Sequence, residues 1–445
     1  MYNGSTTGNL GECKMNVAVI GSGGREHAIV KMLADSKVAD KIIAIPGNAG
    51  MNDICEVMYR VDPNDFDAIA GICIERQIDW VIIGPPEPLE KGLADFLIDE
   101  YGLTVFGPRK HEAQIETSKI FTKQLLNKYN IPTADYKIFT NYNEAKNYLT
   151  ESEYPIVIKH DGLGDNTKVV VAQSQDEAYE ALDYIAQFKG EDTPKIEPII
   201  IEEYLDGEEF SLMVLVNEDV FHPFEIIAQD HKSAYKRGVG PNTDGMGAYA
   251  PITHLDDSVR QEAIDTLVKP TVDAMVKEGM KYFGVLFLGA MHTKDGVKVL
   301  EYNARFGDPE AQVLMSMLEN DFLNMLEKLK RKESFEMKWK KGFMAGAVLA
   351  TKDYPYKENV GLELDFPESL KEYMYISGLS QKEDGSYISS KGRVLMVCNH
   401  GNTIEEALNK VNKHMKQIKY NDGDFYYRED IGHRALNSSK EKGEQ

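Results

Sequence analysis

Glu301 and Asn303 close the run Lys-Val-Leu-Glu-Tyr-Asn. In a strand, a period of two puts this carboxylate and this amide oxygen on one face. Hard oxygen donors so arranged suit Mg²⁺ or Mn²⁺, with substrate phosphates and waters completing the shell, and a merely polar strand end is the other reading. Lys159 ends Pro-Ile-Val-Ile-Lys and Lys119 opens a helical stretch. Each could meet a phosphate as a point charge or lie solvated. Ile-Glu-Glu-Tyr-Leu-Asp-Gly-Glu-Glu, from 201 to 209, reads as a hinge between two strands, from which Glu209 can reach a ribose, or as a charged connector. Gly-Ser-Gly-Gly at 21–24 and Pro-Gly-Asn-Ala-Gly at 46–50 are glycine-rich loops, either anion cradles at a helix start or tight turns. The spacing at 21–24 is not Gly-x-Gly-x-x-Gly, which weakens a dinucleotide reading.

These residues need elements to hold them. Short apolar runs at 16–20, 41–45, 79–83 and 103–106 each end in a turn signal and are separated by amphipathic stretches such as 25–35. That alternation predicts a parallel α/β sheet whose strand C-termini carry the loops at 21–24 and 46–50. After a helix around 117–129, strands are expected in adjacent pairs: 155–159 with 168–172, 198–203 with 209–216 and 219–226, and 284–292 with 297–303. Such pairing is α+β and largely antiparallel. Strands near 344–350 and 393–399 and a helix over 403–416 complete a small α+β terminal region. The expected organisation is a polar, disordered leader at 1–14, an α/β domain at 15–117, a two-lobed domain at 118–340, a third domain at 341–437 and a frayed tail at 438–445.

Composition narrows the partners. The chain has 445 residues, 50 Lys and Arg against 72 Asp and Glu, and a net charge of −22. A chain so acidic, without a basic patch, repels nucleic acid and anionic lipid. The longest apolar run, 282–291, is half of the roughly 20 residues needed to span a bilayer. Four dispersed cysteines (13, 55, 73 and 398) without a Cys-x-x-Cys pair fit a reduced, cytoplasmic compartment.

The order lysine, lysine, Glu-Glu-x-Leu, carboxylate seven on, then Glu-x-Asn resembles the ATP-grasp superfamily. Longer motifs narrow the match: Gly-Ser-Gly-Gly-Arg-Glu-His ending at 27, Pro-Gly-Asn-Ala-Gly at 46–50, Gln-Asp-His-Lys at 229–232, the run 240–249, Arg-Phe-Gly-Asp-Pro-Glu at 305–310, and Asp-Ile-Gly-His-Arg-Ala at 430–435. Together, over about 15–435, they are similar to the phosphoribosylamine–glycine ligase family. That resemblance implies two lobes clasping Mg-ATP and a monomer acting on phosphoribosylamine and glycine in purine biosynthesis. It assigns Gly23, Gly24, Gly47 and Asn48 to the phosphoribosylamine, and Lys119 and Lys159 to ATP phosphates. Glu202, Glu203 and Leu205 would meet adenine, Glu209 the ribose, and Glu301 and Asn303 the metal. Arg305 and Asp308 would face glycine and its acyl phosphate, with Asp230 and Asn242 nearby; Lys159, Arg305 and Asp308 would be the catalytic groups.

The chain departs from the family pattern in loops. Gly-Asp-Asn-Thr-Lys at 164–168 stands where the family has Ala-Ala-Gly-Lys-Gly, and Lys168 is the candidate for the displaced phosphate lysine. Gly-Pro-Pro replaces Gly-Pro-Glu at 84–86, with Glu87 one place later; Ser233, Lys236, Gly238 and Asp244 also differ. The implied reaction is ATP-dependent ligation of glycine to 5-phosphoribosylamine. Its rivals are a diverged ligase for another amino acid or phosphorylated amine, and a nucleotide-binding paralogue without turnover.

Overall fold

The computed structural model describes residues 14–164, 169–185 and 195–437. The expected leader at 1–14 apart from Lys14, the residues Asp165 to Lys168 of the altered loop, and the tail at 438–445 lie outside the described residues.

Five parallel strands form the first sheet, in the order Glu56–Val57, Ala39–Pro46, Met15–Gly21, Trp80–Ile83, Thr104–Phe106. Val17, Ala18, Val19 and Ile20 are all fully buried, as a strand covered on both faces requires, and this is why the run is continuously apolar. The helix Gly24–Ala34 starts directly at the end of the central strand.

The second sheet runs Tyr136–Asn141, Lys195–Glu203, Ile156–His160, Val169–Ala172, with every pair antiparallel. Ile156, Ile158 and Ile201 pack with Leu149 and Leu182 of the helices Tyr142–Thr150 and Gln175–Ile185. The alternate residues Val157, Lys159 and Glu202 are thereby left on the opposite face, toward the next lobe. The third sheet runs Val220–Pro223, Glu208–Asn217, Phe283–Thr293, Gly296–Asn303.

One expected pairing is corrected. The strand containing 198–203 does not pair with 209–216; it lies between Tyr136–Asn141 and Ile156–His160 in the smaller lobe. The connector Tyr204–Gly207 therefore passes between two sheets and is not a hairpin turn. Tyr136–Asn141 escaped notice because Tyr-Lys-Ile-Phe-Thr-Asn lacks a clean alternation, leaving its neighbour without an evident partner.

The fourth sheet draws on distant parts of the chain. Gln229–Asp230 and Gly247–Ala250 line up with Phe343–Thr351, Arg393–Gly401 and Met374–Ile376, so two mid-chain strands complete a sheet otherwise built after residue 340. The helix Ile404–Met415 covers it through Ala407, Leu408 and Val411. Among the described residues, no helix is long and apolar enough to cross a membrane.

Candidate functional site

The cleft between the second and third sheets holds two connected cavities of about 440 and about 340 Å³. They share Lys159 and Glu202 from the smaller lobe with Leu300 and Glu301 from the larger. That Leu300 and Glu301 both line the cleft, although adjacent, follows from a β-bulge. The register runs Gly289 to Glu301 and then Ala290 to Val299, leaving Leu300 as an extra residue. Gly289 lies opposite, and a Cβ there would stand 3.1 Å from Glu301 Cγ, so a side chain at 289 would press on that of Glu301.

Charges in the cleft are paired with one another. Glu202 Oε2 accepts from Lys159 Nζ at 2.9 Å and lies 3.3 Å from Lys123 Nζ. Its other oxygen is buried and has no hydrogen-bond partner among the described residues, an acceptor available to an exocyclic amine. Burial pulls the Lys123 ammonium down to about 8, with Glu202 opposing. Lys119 Nζ donates to the Gly162 carbonyl at 3.2 Å, and burial lowers its pKa also.

Glu301 is held ionised at about 2: burial would raise it, but Lys232, Lys159, Lys119 and Arg305 outweigh that cost. Asn303 is buried, and its Oδ1 accepts from Arg305 Nη2 at 3.3 Å, with one lone pair to spare. Arg305 Nε also donates to Glu116 at 3.0 Å. Asp230 and Asn242 line the smaller cavity with Glu203, Leu205 and Glu209. Burial, and then the neighbouring Glu310 carboxylate, raise the Asp230 carboxyl well above its ordinary range.

Asp308, Gly23, Gly24, Gly47 and Asn48 do not line either cavity and lie where the first sheet meets the fourth, whereas the departing residues Glu87 and Asp244 line the larger cavity and Ser233 and Gly238 the smaller. Asp308 sits 3.3 Å from Arg393 and accepts from Gln312 Nε2 at 2.8 Å and the Arg25 N–H at 3.3 Å. Gly23 N–H is taken by Glu26 at 2.5 Å. Asn48 donates to the Ser22 and Ile376 carbonyls at 2.9 and 2.8 Å and accepts from Gly50 N–H at 2.9 Å. Gly24 packs so tightly that a Cβ would lie 2.4 Å from Gln312 Nε2, and Gly47 takes a φ of +69°. Lys168 lies outside the described residues.

Several charged residues here were not singled out from sequence. Lys232, inside Gln-Asp-His-Lys, bonds Glu209 at 2.5 Å. Arg428, His433 and Arg434 of the terminal segment line the smaller cavity. Arg393 donates to the Asp244 and Asp308 carbonyls at 2.8 and 3.1 Å. The motifs at 229–232 and 430–435 carried the signal for Lys232, His433 and Arg434, while nothing local marked Arg428 or Arg393.

Three family profiles match in register with this architecture: the phosphoribosylglycinamide synthetase N domain over 15–116, its ATP-grasp (A) domain over 117–311 and its C domain over 344–434. The chain belongs to the phosphoribosylglycinamide synthetase family. It is 42% identical to the phosphoribosylamine–glycine ligase of Listeria monocytogenes over 425 residues, covering 95% of this chain and all of that protein. The Halalkalibacterium halodurans enzyme of the same name is 40% identical over 427 residues, 95% of this chain and 97% of that protein. The crystal structure of the Thermotoga maritima phosphoribosylamine–glycine ligase superposes with a TM-score of 0.77 at 30% identity, over 94% of this chain and all of that one. An ADP-bound biotin carboxylase domain from Hydrogenobacter thermophilus, 15% identical with a TM-score of 0.69 over 93% of this chain and 92% of that one, shares the fold.

Proposed function

We propose that this phosphoribosylglycinamide synthetase family member joins glycine to 5-phosphoribosylamine at the expense of ATP, releasing ADP and phosphate. The observation that carries this reading is the cleft itself: an unpartnered buried acceptor on Glu202, a row of lysines and the ionised Glu301 line one space between two antiparallel sheets. Adenine would meet Glu202, Glu203 and Leu205, the ribose would meet Glu209, and the phosphates would lie against Lys119 and Lys159. Glu301 and Asn303 fit Mg²⁺ by the chemistry of their donor atoms, with phosphate oxygens filling its shell, and bound there it would neutralise charge on the transferred group.

The chain's own contribution is positioning and charge. A glycine carboxylate oxygen takes the γ-phosphoryl group and ADP leaves. The ribosylamine nitrogen then attacks the carbonyl carbon, phosphate departs and the nitrogen loses a proton. Arg305, tied to Glu116, would stand beside the acyl phosphate, while Asp308 would lie toward the loops around Gly23, Gly24, Gly47 and Asn48 on the amine side. No nucleophilic side chain is required. The test is phosphate release from ATP with phosphoribosylamine generated in situ, with and without glycine and against other amino acids. Release that requires both glycine and the amine supports the reading, whereas release driven by a different amino acid replaces it.

A further inference from the structure

Lys232 joins two carboxylates to which the proposed function gives different ligands. Its ammonium lies 2.5 Å from Glu209 Oε1, on the ribose side, and 3.5 Å from Glu301 Oε1, on the metal side. The two carboxylates belong to strands Glu208–Asn217 and Gly296–Asn303 of the third sheet. The lysine belongs to another frame. Its carbonyl accepts from the Thr243 N–H and hydroxyl, both at 2.7 Å. The preceding His231 accepts at Nε2 from the Gly432 N–H at 3.0 Å, and the following Ser233 carbonyl accepts from Arg428 at 3.0 Å. Only a flexible four-carbon stem reaches across, so the ammonium can leave the carboxylates without any backbone movement.

We infer that Lys232 is the resident counter-ion of the nucleotide cleft in the free protein, neutralising Glu209 and Glu301 until a ribose and a divalent cation take them over. This rests on the assignment of Glu301 to the metal. A divalent cation on Glu301 and an ammonium 3.5 Å from the same carboxylate repel each other strongly in a partly desolvated cleft, so each weakens the hold of the other. Lys232 therefore competes with the metal in the free protein and is set loose when metal nucleotide binds. The cleft thus avoids leaving two unpaired carboxylates facing each other while it waits.

The test measures Mn²⁺ binding to the nucleotide-free full chain by electron paramagnetic resonance. Lys232→Met removes the competitor, and its Mn²⁺ dissociation constant should fall roughly tenfold, the effect of losing one like charge near the site. Lys232→Gln, which retains a hydrogen-bond donor for Glu209, should move the same way and serves if Lys232→Met does not fold. Glu209→Gln gives the ammonium wholly to Glu301 and should weaken Mn²⁺ binding. Unchanged or weaker Mn²⁺ binding in both lysine variants, or tighter binding in Glu209→Gln, would overturn the inference. Phosphate release, measured separately, tests the substrates. Opposite Mn²⁺ shifts in a protein that ignores glycine would keep the role of Lys232 and reject the substrate assignment.

Discussion

The loops at the end of the first sheet and the cleft between the lobes use polar residues in opposite ways. In the loops, Asn48 spends its amide on three backbone groups, and Gly24 is packed against Gln312. In the cleft, Lys159, Lys232 and Arg305 bond carboxylates that could exchange them for a ligand. A residue near a ligand can thus build the cradle or meet the guest, and its existing partners tell which. Backbone carbonyls are not given up without cost, whereas ion pairs in a half-open cleft are exchanged for better ones.

A cleft carboxylate that meets the guest should matter for turnover and little for folding, and Glu301→Gln tests this most severely. It should lower kcat by about a thousandfold, roughly 4 kcal/mol of transition-state stabilisation, while calorimetry shows only a modest fall in melting temperature, because the Glu301 side chain is 38% exposed and its ion pairs are screened. Near-normal turnover would remove Glu301 from the metal assignment. Next in size come Asn48→Ala and Gly24→Ala, expected to cost about 1–3 kcal/mol each through stranded carbonyls and overpacking respectively. Urea unfolding measures both. Unchanged stability with a raised KM for the amine would turn Asn48 from builder into ligand.

Acid probes the terminal segment that frames the cleft. Burial would raise the Asp430 carboxyl, but Arg428 and the Arg237 N–H hold it at about 2. A folded-state pKa below the unfolded value of about 3.9 contributes stability that is fully present above pH 5 and fades as pH falls toward 2. After a discount for solvent screening on its open side, Asp430→Asn should cost about 1–2 kcal/mol at pH 7, and less at pH 3, when melting temperatures are compared across pH. Glu203→Gln should be nearly silent, because the Glu203 bond to Lys298 at 3.0 Å is partly exposed. Its stability change should stay below about 1 kcal/mol in the same melts.

Four strands of the parallel first sheet were legible because they read as apolar runs ending in turn signals, whereas the short edge strand Glu56–Val57, with no buried residue, was not. That Glu301 and Asn303 face one cavity was legible because a period of two is a local property. The bulge at Leu300 was not, since it exists only against Phe283–Thr293. Nor was the seat of Lys195–Glu203 in the smaller lobe, which depends on Tyr136–Asn141, a partner far earlier in the chain. Arg393 and Lys232 act across sequence separations of 85 and 23 residues, beyond the reach of spacing arguments.

The fourth sheet ties assembly to the order of synthesis. Gln229–Asp230 and Gly247–Ala250 leave the ribosome long before Phe343–Thr351, the strand that Gly247–Ala250 pairs with, and Arg428 and Gly432 come later still. Arg428 and Gly432 hold the residues on either side of Lys232, so a chain not yet made to that point carries its two lobes but lacks part of the frame that aims this lysine between them. A chain cut before residue 428 therefore keeps the Lys232, Glu209 and Glu301 charges of the cleft but loses two of the contacts that hold the segment on either side of this lysine.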